Sequence, residues 1–186
     1  DLLICRNEED AKHKGVAIND HNNERKSIDR EITFEAINMV KNSPGFANKK
    51  STIVYNPQWH KGVVGIVASR LVEAYYRPTI VLTQSNGFIT GSARSITGFD
   101  LYTAIEHCSE YLENFGGHMY AAGLTMKEEN LEAFCTKFEA YVASKITDEL
   151  LVPIVNIDSY LDFKQITPKF FRLLKQFQPF GPGNQS

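Results

Sequence analysis

Two β-branched runs, Ser51-Thr52-Ile53-Val54-Tyr55 and Thr79-Ile80-Val81-Leu82-Thr83, stand on either side of a segment of helical length, Val63 to Tyr76. Apolar runs without polar alternation suit strands buried on both faces. Asn56-Pro57 stops the first run. Arg77-Pro78 closes the helix, because the residue before a proline is driven out of the α region, and so opens the second strand. Ser85-Asn86-Gly87 then turns the chain into a hairpin partner, Phe88 to Ser95. Asp100 to Leu112 carries Leu101, Ala104, Ile105, Cys108 and Leu112 as an amphipathic stripe, and Asn130 to Ile146 repeats it with Leu131, Phe134, Phe138, Tyr141 and Val142. Val152 to Phe163 is again strand-like, and Pro168 to Phe177 predicts a short helix.

Ahead of this alternation the chain has a different character. Asn7 with Asp10 three residues on predicts an N-cap, and no proline follows until Pro44. The apolar positions between them, Val16, Ile18, Ile28, Ile32, Ala36, Ile37 and Val40, are sparse among charges of both signs. That is a long helix touching a core along a narrow stripe, as a connector does. The expected fold class is therefore α/β, a mixed β-sheet flanked by helices and preceded by a long connector helix. The expected division is a connector over 1–48, an α/β domain over 49–178, and the start of a linker over 179–186.

With 186 residues and 42% hydrophobic content, the chain can bury one sizeable core. No apolar run approaches the ~20 residues that span a bilayer, and Asp1 to Arg6 lacks the order of a signal peptide, so a cytoplasmic protein is expected. Cys5, Cys108 and Cys135 form no CxxC pair and have no histidine at zinc-ligand spacing. The net charge of −2 conceals an uneven distribution. Lys49, Lys50, Lys61, Arg70, Arg77 and Arg94 face only Glu73, whereas Phe99 to Leu150 holds ten acids against three lysines. Clustered Lys and Arg suit one face to phosphates.

Three stretches carry chemistry of that type. Trp59-His60-Lys61-Gly62-Val63-Val64-Gly65-Ile66-Val67-Ala68-Ser69-Arg70 runs from a polar turn into a helix, where backbone amides and close-approach glycines favour an anion. Gly62 and Gly65 serve equally well for packing a helix tightly on a sheet. Gly91-Ser92-Ala93-Arg94-Ser95 offers hydroxyls and a guanidinium, with Ser92 and Arg94 at strand spacing on one face. Phe115-Gly116-Gly117-His118 can present consecutive amides as an anion nest beside a histidine, followed by the small Ala121, Ala122 and Gly123. No cluster of aspartates and histidines appears, nor any GxSxG, GxxxxGK[ST] or HExxH pattern. The chain looks able to hold a phosphate backbone and unable to cut it.

Taken in order, these segments resemble the C-terminal DHH-associated domain of the DHH phosphoesterases, and within that superfamily the RecJ family of single-strand-specific DNA exonucleases. The resemblance rests on His60 to Leu71, on Gly91 to Ser95, on Phe115 to His118 with Ala121-Ala122-Gly123, and on Pro179-Phe180-Gly181-Pro182-Gly183-Asn184. Asn22-Asn23-Glu24-Arg25-Lys26 is similar to the segment joining the two domains of that family, so the likeness covers nearly the whole chain.

The resemblance implies a division of labour. A separate N-terminal DHH domain holds two Mn²⁺ or Mg²⁺ ions, an OB-fold follows the PFGPGN segment, and this part binds no metal itself but grips single-stranded DNA opposite them. It further implies roles in DNA repair and recombination, no membrane partner, and no hydrolysis by this part alone. Ser92 and Arg94 are implied as the clamp for a terminal 5′-phosphate, with Ser95 in the same motif. His60, Gly62, Gly116, Gly117 and His118 are implied as contacts beside the cleft, and Arg25 as a contact from the connector helix. Phe115 stands where related members have glycine, which favours a polymer substrate over a single nucleotide. The other readings are a phosphodiesterase for short oligonucleotides or cyclic dinucleotides, and a non-catalytic RNA-binding module similar to that of alanyl-tRNA synthetases.

Overall fold

The computed structural model describes residues 2–155, 157–181 and 184. Five strands, β1 (Thr52–Tyr55), β2 (Thr79–Ser85), β3 (Phe88–Arg94), β4 (Asn114–His118) and β5 (Ala121–Met126), form one sheet in the order β1-β2-β3-β5-β4. The first pair is parallel and the others antiparallel, so the sheet is mixed, as expected. A parallel pair needs a crossover, and α2 (Val64–Tyr75) supplies it. The remaining helices are α1 (Glu8–Lys41), α3 (Leu101–Glu106), α4 (Leu131–Lys145) and α5 (Pro168–Lys175). None among the described residues is long and apolar enough to cross a membrane.

The two faces of the sheet are treated unequally. One buries Ile80, Leu82, Ile89, Ala93, Leu124 and Met126 beneath α3 and α4, which contribute Leu101, Ile105, Phe134, Phe138 and Val142. The other is covered over β1 and β2, where Val54 and Val81 meet Val64, Val67 and Leu71 of α2 and Ile32 and Ala36 of α1, and α2 also reaches the adjoining part of β3. Over β3, β5 and β4 the second face carries, apart from Phe88 at the start of β3, small and polar side chains that are exposed or half-buried.

Helix α1 begins as the sequence predicts, with the Asn7 side chain accepting the Asp10 amide at 2.8 Å. Of its apolar stripe only Ile32, Ala36 and Val40 are buried, while Val16 and Ile18 are exposed. The helix touches the sheet domain only through its C-terminal half, and the contact is fixed by polar pins at both levels. Trp59 Nε1 donates to Glu35 at 2.7 Å, and Arg70 makes a bidentate pair with the buried Asp29.

Two expectations need correction. The helix expected over Asp100 to Leu112 stops at Glu106, and a 3₁₀ turn at Ser109–Tyr111 swings the chain into β4. Val152 to Phe163 forms no strand among its described residues, and Ile154, Val155, Ile157 and Tyr160 are exposed. A β-branched run becomes a strand only where a neighbour offers a ladder, and none is paired with it here. Contacts divide the chain into two compact units, 1–153 and 154–186, with α1 and the sheet together in the first. The second unit consists of a 3₁₀ turn capped by Asp162 and of α5, capped by Thr167. Within PFGPGN, Asn184 Nδ2 donates to the Phe177 and Pro179 carbonyls at 2.7 and 3.0 Å, while Pro182 and Gly183 lie outside the described residues.

Candidate nucleic-acid interface

The uncovered face is organised by strand register. Arg94 stands opposite Ala121, and Ala121 opposite His118; one step along, Ser92 stands opposite Gly123, and Gly123 opposite Gly116. Directly opposed residues share a face, so these are two rows of one surface. With strands ~4.8 Å apart, the Arg94 and His118 backbones lie roughly 10 Å from each other across a floor without large side chains. A third row, Thr90, Thr125 and Asn114, borders a shallow concavity of about 350 Å³ over the glycines.

Helix α2 closes one side of this surface. A Cβ on Gly65 would lie 3.0 Å from Arg94 Nη2 and 3.4 Å from Ser92 Oγ, so glycine there lets the guanidinium and the hydroxyl press against the first turn of the helix. Arg94 Nη1 donates to its neighbour's carbonyl, that of Ala93, at 2.8 Å, which fixes the side chain's direction. Arg94, Ser92, Gly62, Gly65 and Lys61 line a cleft of about 650 Å³, and Arg70 and Arg25 extend its wall onto α2 and α1. The Arg25 guanidinium is steadied by Asn22 Oδ1 at 2.8 Å. Glu73 is the one acid in the lining, so the cleft is strongly basic although the chain as a whole is not.

Of the residues singled out in the sequence, Arg25, Gly62, Ser92 and Arg94 are thus gathered in one cleft, and Gly116 and His118 lie on the adjoining floor. Ser95 is turned away: its hydroxyl donates to the Phe99 carbonyl at 2.7 Å and its amide to the Tyr120 carbonyl at 3.0 Å. His60 Nδ1 accepts the Gly62 amide at 3.1 Å, so that amide serves the turn and the ring's Nε2 is the atom left to donate. His118 Nδ1 likewise accepts the Tyr120 amide at 3.2 Å.

The nest expected at Gly116-Gly117 does not form. Both residues lie in β4, where successive amides point to opposite sides of the strand instead of converging. Gly117, at φ 152°, is required for pairing, since a Cβ would fall 2.3 Å from the Ala121 carbonyl oxygen; Gly116 has open space around it. Phe115 packs against Tyr102 and the core, ring centroids 5.8 Å apart; it borders the concavity over the glycines but not the basic cleft. In the sequence Gly65 is legible only as a close-approach or packing glycine, and Arg70 only as one of the clustered basic residues. Their signal was faint, because a helical glycine and a polar-face arginine acquire meaning only when β3 and α1 are docked beside them.

The cysteines take no part. Burial pushes the Cys108 and Cys135 thiols up to about 11, so both are protonated at neutral pH. Among the described residues no group of three or more His, Cys, Asp or Glu side chains is arranged to hold a metal ion.

This architecture has relatives. The DHHA1 domain family matches residues 48–144, and the chain belongs to that family. Within it, the similarity is to RecJ. The chain is 34% identical over 182 residues to the single-stranded-DNA-specific exonuclease RecJ of Bacillus subtilis, covering 97% of this chain and 23% of that protein. It is 31% identical over 190 residues to RecJ of Escherichia coli, covering 97% and 32%. The crystal structure of RecJ in complex with Mg²⁺ from Thermus thermophilus superposes with a TM-score of 0.85 at 29% identity, over 99% of this chain and 28% of that one. A crystal structure of exonuclease RecJ bound to manganese gives 0.68 at 28% identity, over 79% and 36%. The chain spans about a quarter to a third of the length of the curated relatives it matches.

Proposed function

We propose that this chain is the strand-gripping part of a RecJ-like exonuclease for single-stranded DNA, acting in the cytoplasm in DNA repair and recombination. The observation that carries the reading is the pressing of Arg94 and Ser92 against Gly65 in a basic cleft, at the edge of an open glycine floor. The guanidinium fork and the hydroxyl together match the oxygens of a terminal 5′-phosphate, and Lys61 and Arg25 add uncompensated charge. The floor lets the sugar–phosphate chain approach the sheet backbone, with His118 at its far side. These residues bind and orient. They do not form a metal set, so the divalent ions that activate water belong in our reading to a DHH domain elsewhere in the polypeptide, and an OB-fold follows the PFGPGN segment. Hydrolysis by this chain alone is not expected.

The test is strand binding by the full-length protein with divalent metal chelated. Arg94→Ala is expected to lower affinity for a 5′-phosphorylated strand by about 1.5–3 kcal/mol, roughly 10- to 100-fold, because a charge-assisted bond is lost. Affinity for the 5′-hydroxyl strand should change much less. An unaltered preference for the phosphorylated strand in the variant would sink the clamp. Tighter binding of tRNA than of single-stranded DNA would favour an RNA-binding module instead.

A further inference from the structure

Arg70 lines the same cleft, five residues beyond Gly65 on α2, or about 7.5 Å along the helix axis. Its Nε and Nη2 donate to the two carboxylate oxygens of Asp29 at 3.1 and 2.6 Å. The partners are unequally placed: the Asp29 side chain keeps 6% of its surface exposed, the Arg70 side chain 45%. Burying both ends would cost the desolvation of two charges, and only the carboxylate end is buried. Here the carboxylate is hidden behind the guanidinium, which turns its remaining donors outward. The side-on contact uses two of five N–H groups, and Nη1 has no acceptor among the described residues. Asp29 is also the first buried residue of α1, one helical turn from Arg25, so the same bond sets where Arg25 stands over the cleft.

We propose that Arg70 is a second phosphate ligand, oriented by Asp29, and that it takes the first internucleotide phosphate next to the terminal one held by Arg94 and Ser92. The inference rests on the reading of the cleft given above. Because Asp29 compensates its charge, Arg70 contributes direction more than field, whereas Arg94, Lys61 and Arg25 contribute both. Loss of the Asp29–Arg70 pair should therefore weaken one linkage contact and leave the salt dependence of binding almost unchanged. Loss of Arg94 should reduce the slope of log affinity against log salt by about 0.7.

The experiment uses the full-length protein with metal chelated. Its probes are a 5′-phosphorylated thymidine 12-mer and the same strand with an uncharged methylphosphonate at the first linkage. Wild type is expected to lose about tenfold in affinity on that replacement, the scale of one charge-assisted hydrogen bond. The D29N/R70Q variant removes both charges together, so no buried carboxylate is left unpaired, and it should bind the two probes within about twofold of each other. A tenfold difference persisting in D29N/R70Q overturns the assignment. Should that variant fail to fold, a methylphosphonate scan along the strand with wild type decides: the first linkage must be the most sensitive internal one, and uniform sensitivity overturns the proposal. Arg94→Ala with and without the terminal phosphate is run alongside. If that variant keeps its preference, the reading of the cleft fails. If the preference is lost while D29N/R70Q still discriminates the linkages, only the Arg70 assignment falls.

Discussion

Strands β3, β5 and β4 present two faces that differ in almost every respect. Ile89, Ala93, Ala122, Leu124 and Met126 point one way and are buried under α3 and α4; Thr90, Ser92, Arg94, Ala121, Gly123, Gly116 and His118 point the other and are half-buried or exposed. The strand's period of two makes this possible, since each residue devoted to the core leaves its neighbours free for the surface. One face determines whether the domain exists, and the other determines what it touches. Substitutions a single residue apart should separate stability from strand binding, and the contrast can be broken from either side.

The largest effect belongs to the core face. Phe138, fully buried and stacked on Phe134 with ring centroids 5.9 Å apart, fills the space between α4 and the sheet. Phe138→Ala should destabilise the domain by about 3–5 kcal/mol, the lost transfer energy plus the cavity left behind, measured by urea unfolding. Strand affinity of the molecules that remain folded should be unchanged. A loss of affinity matching the loss of stability would show that the two faces are not independent.

Much of this contrast could be read in advance, for a physical reason. β-branched runs, prolines and a capping asparagine act locally, so β1, β2, α2 and the start of α1 are legible from their own residues. Spacing alone also puts Ser92 and Arg94 on one face. What the sequence does not carry is pairing. The strand character of Phe115-Gly116-Gly117-His118 comes from β5, since glycines have little strand tendency of their own, and so a nest was expected where an edge strand stands. Val152 to Phe163 failed in the opposite sense, with strand composition and no partner. Gly65 and Arg70 were equivocal because their meaning depends on Arg94 and Asp29, which are distant in the chain.

The adjacent glycines allow the finest division of the two roles. Gly117→Ala places a methyl 2.3 Å from a backbone oxygen at a φ that L-residues avoid. It should cost about 1–3 kcal/mol of stability, or undo the β4–β5 ladder, visible as loss of amide protection at Ala121 and Ala122.

Gly116→Ala should do neither. Its new methyl meets nothing within 4 Å, and replacing glycine in a strand removes backbone entropy from the unfolded chain, so stability should stay within ~0.5 kcal/mol of the parent. The methyl does, however, rise from the open floor beside Gly123 and the 350 Å³ concavity. If a sugar–phosphate chain lies against that floor, the crowding should cost it about 1 kcal/mol, roughly fivefold in affinity for single-stranded DNA, with no change in salt slope because no charge is altered. Binding by Gly116→Ala equal to that of the parent would move the strand off the glycine floor and confine it to the cleft at α2, leaving Gly116 without a role in either face.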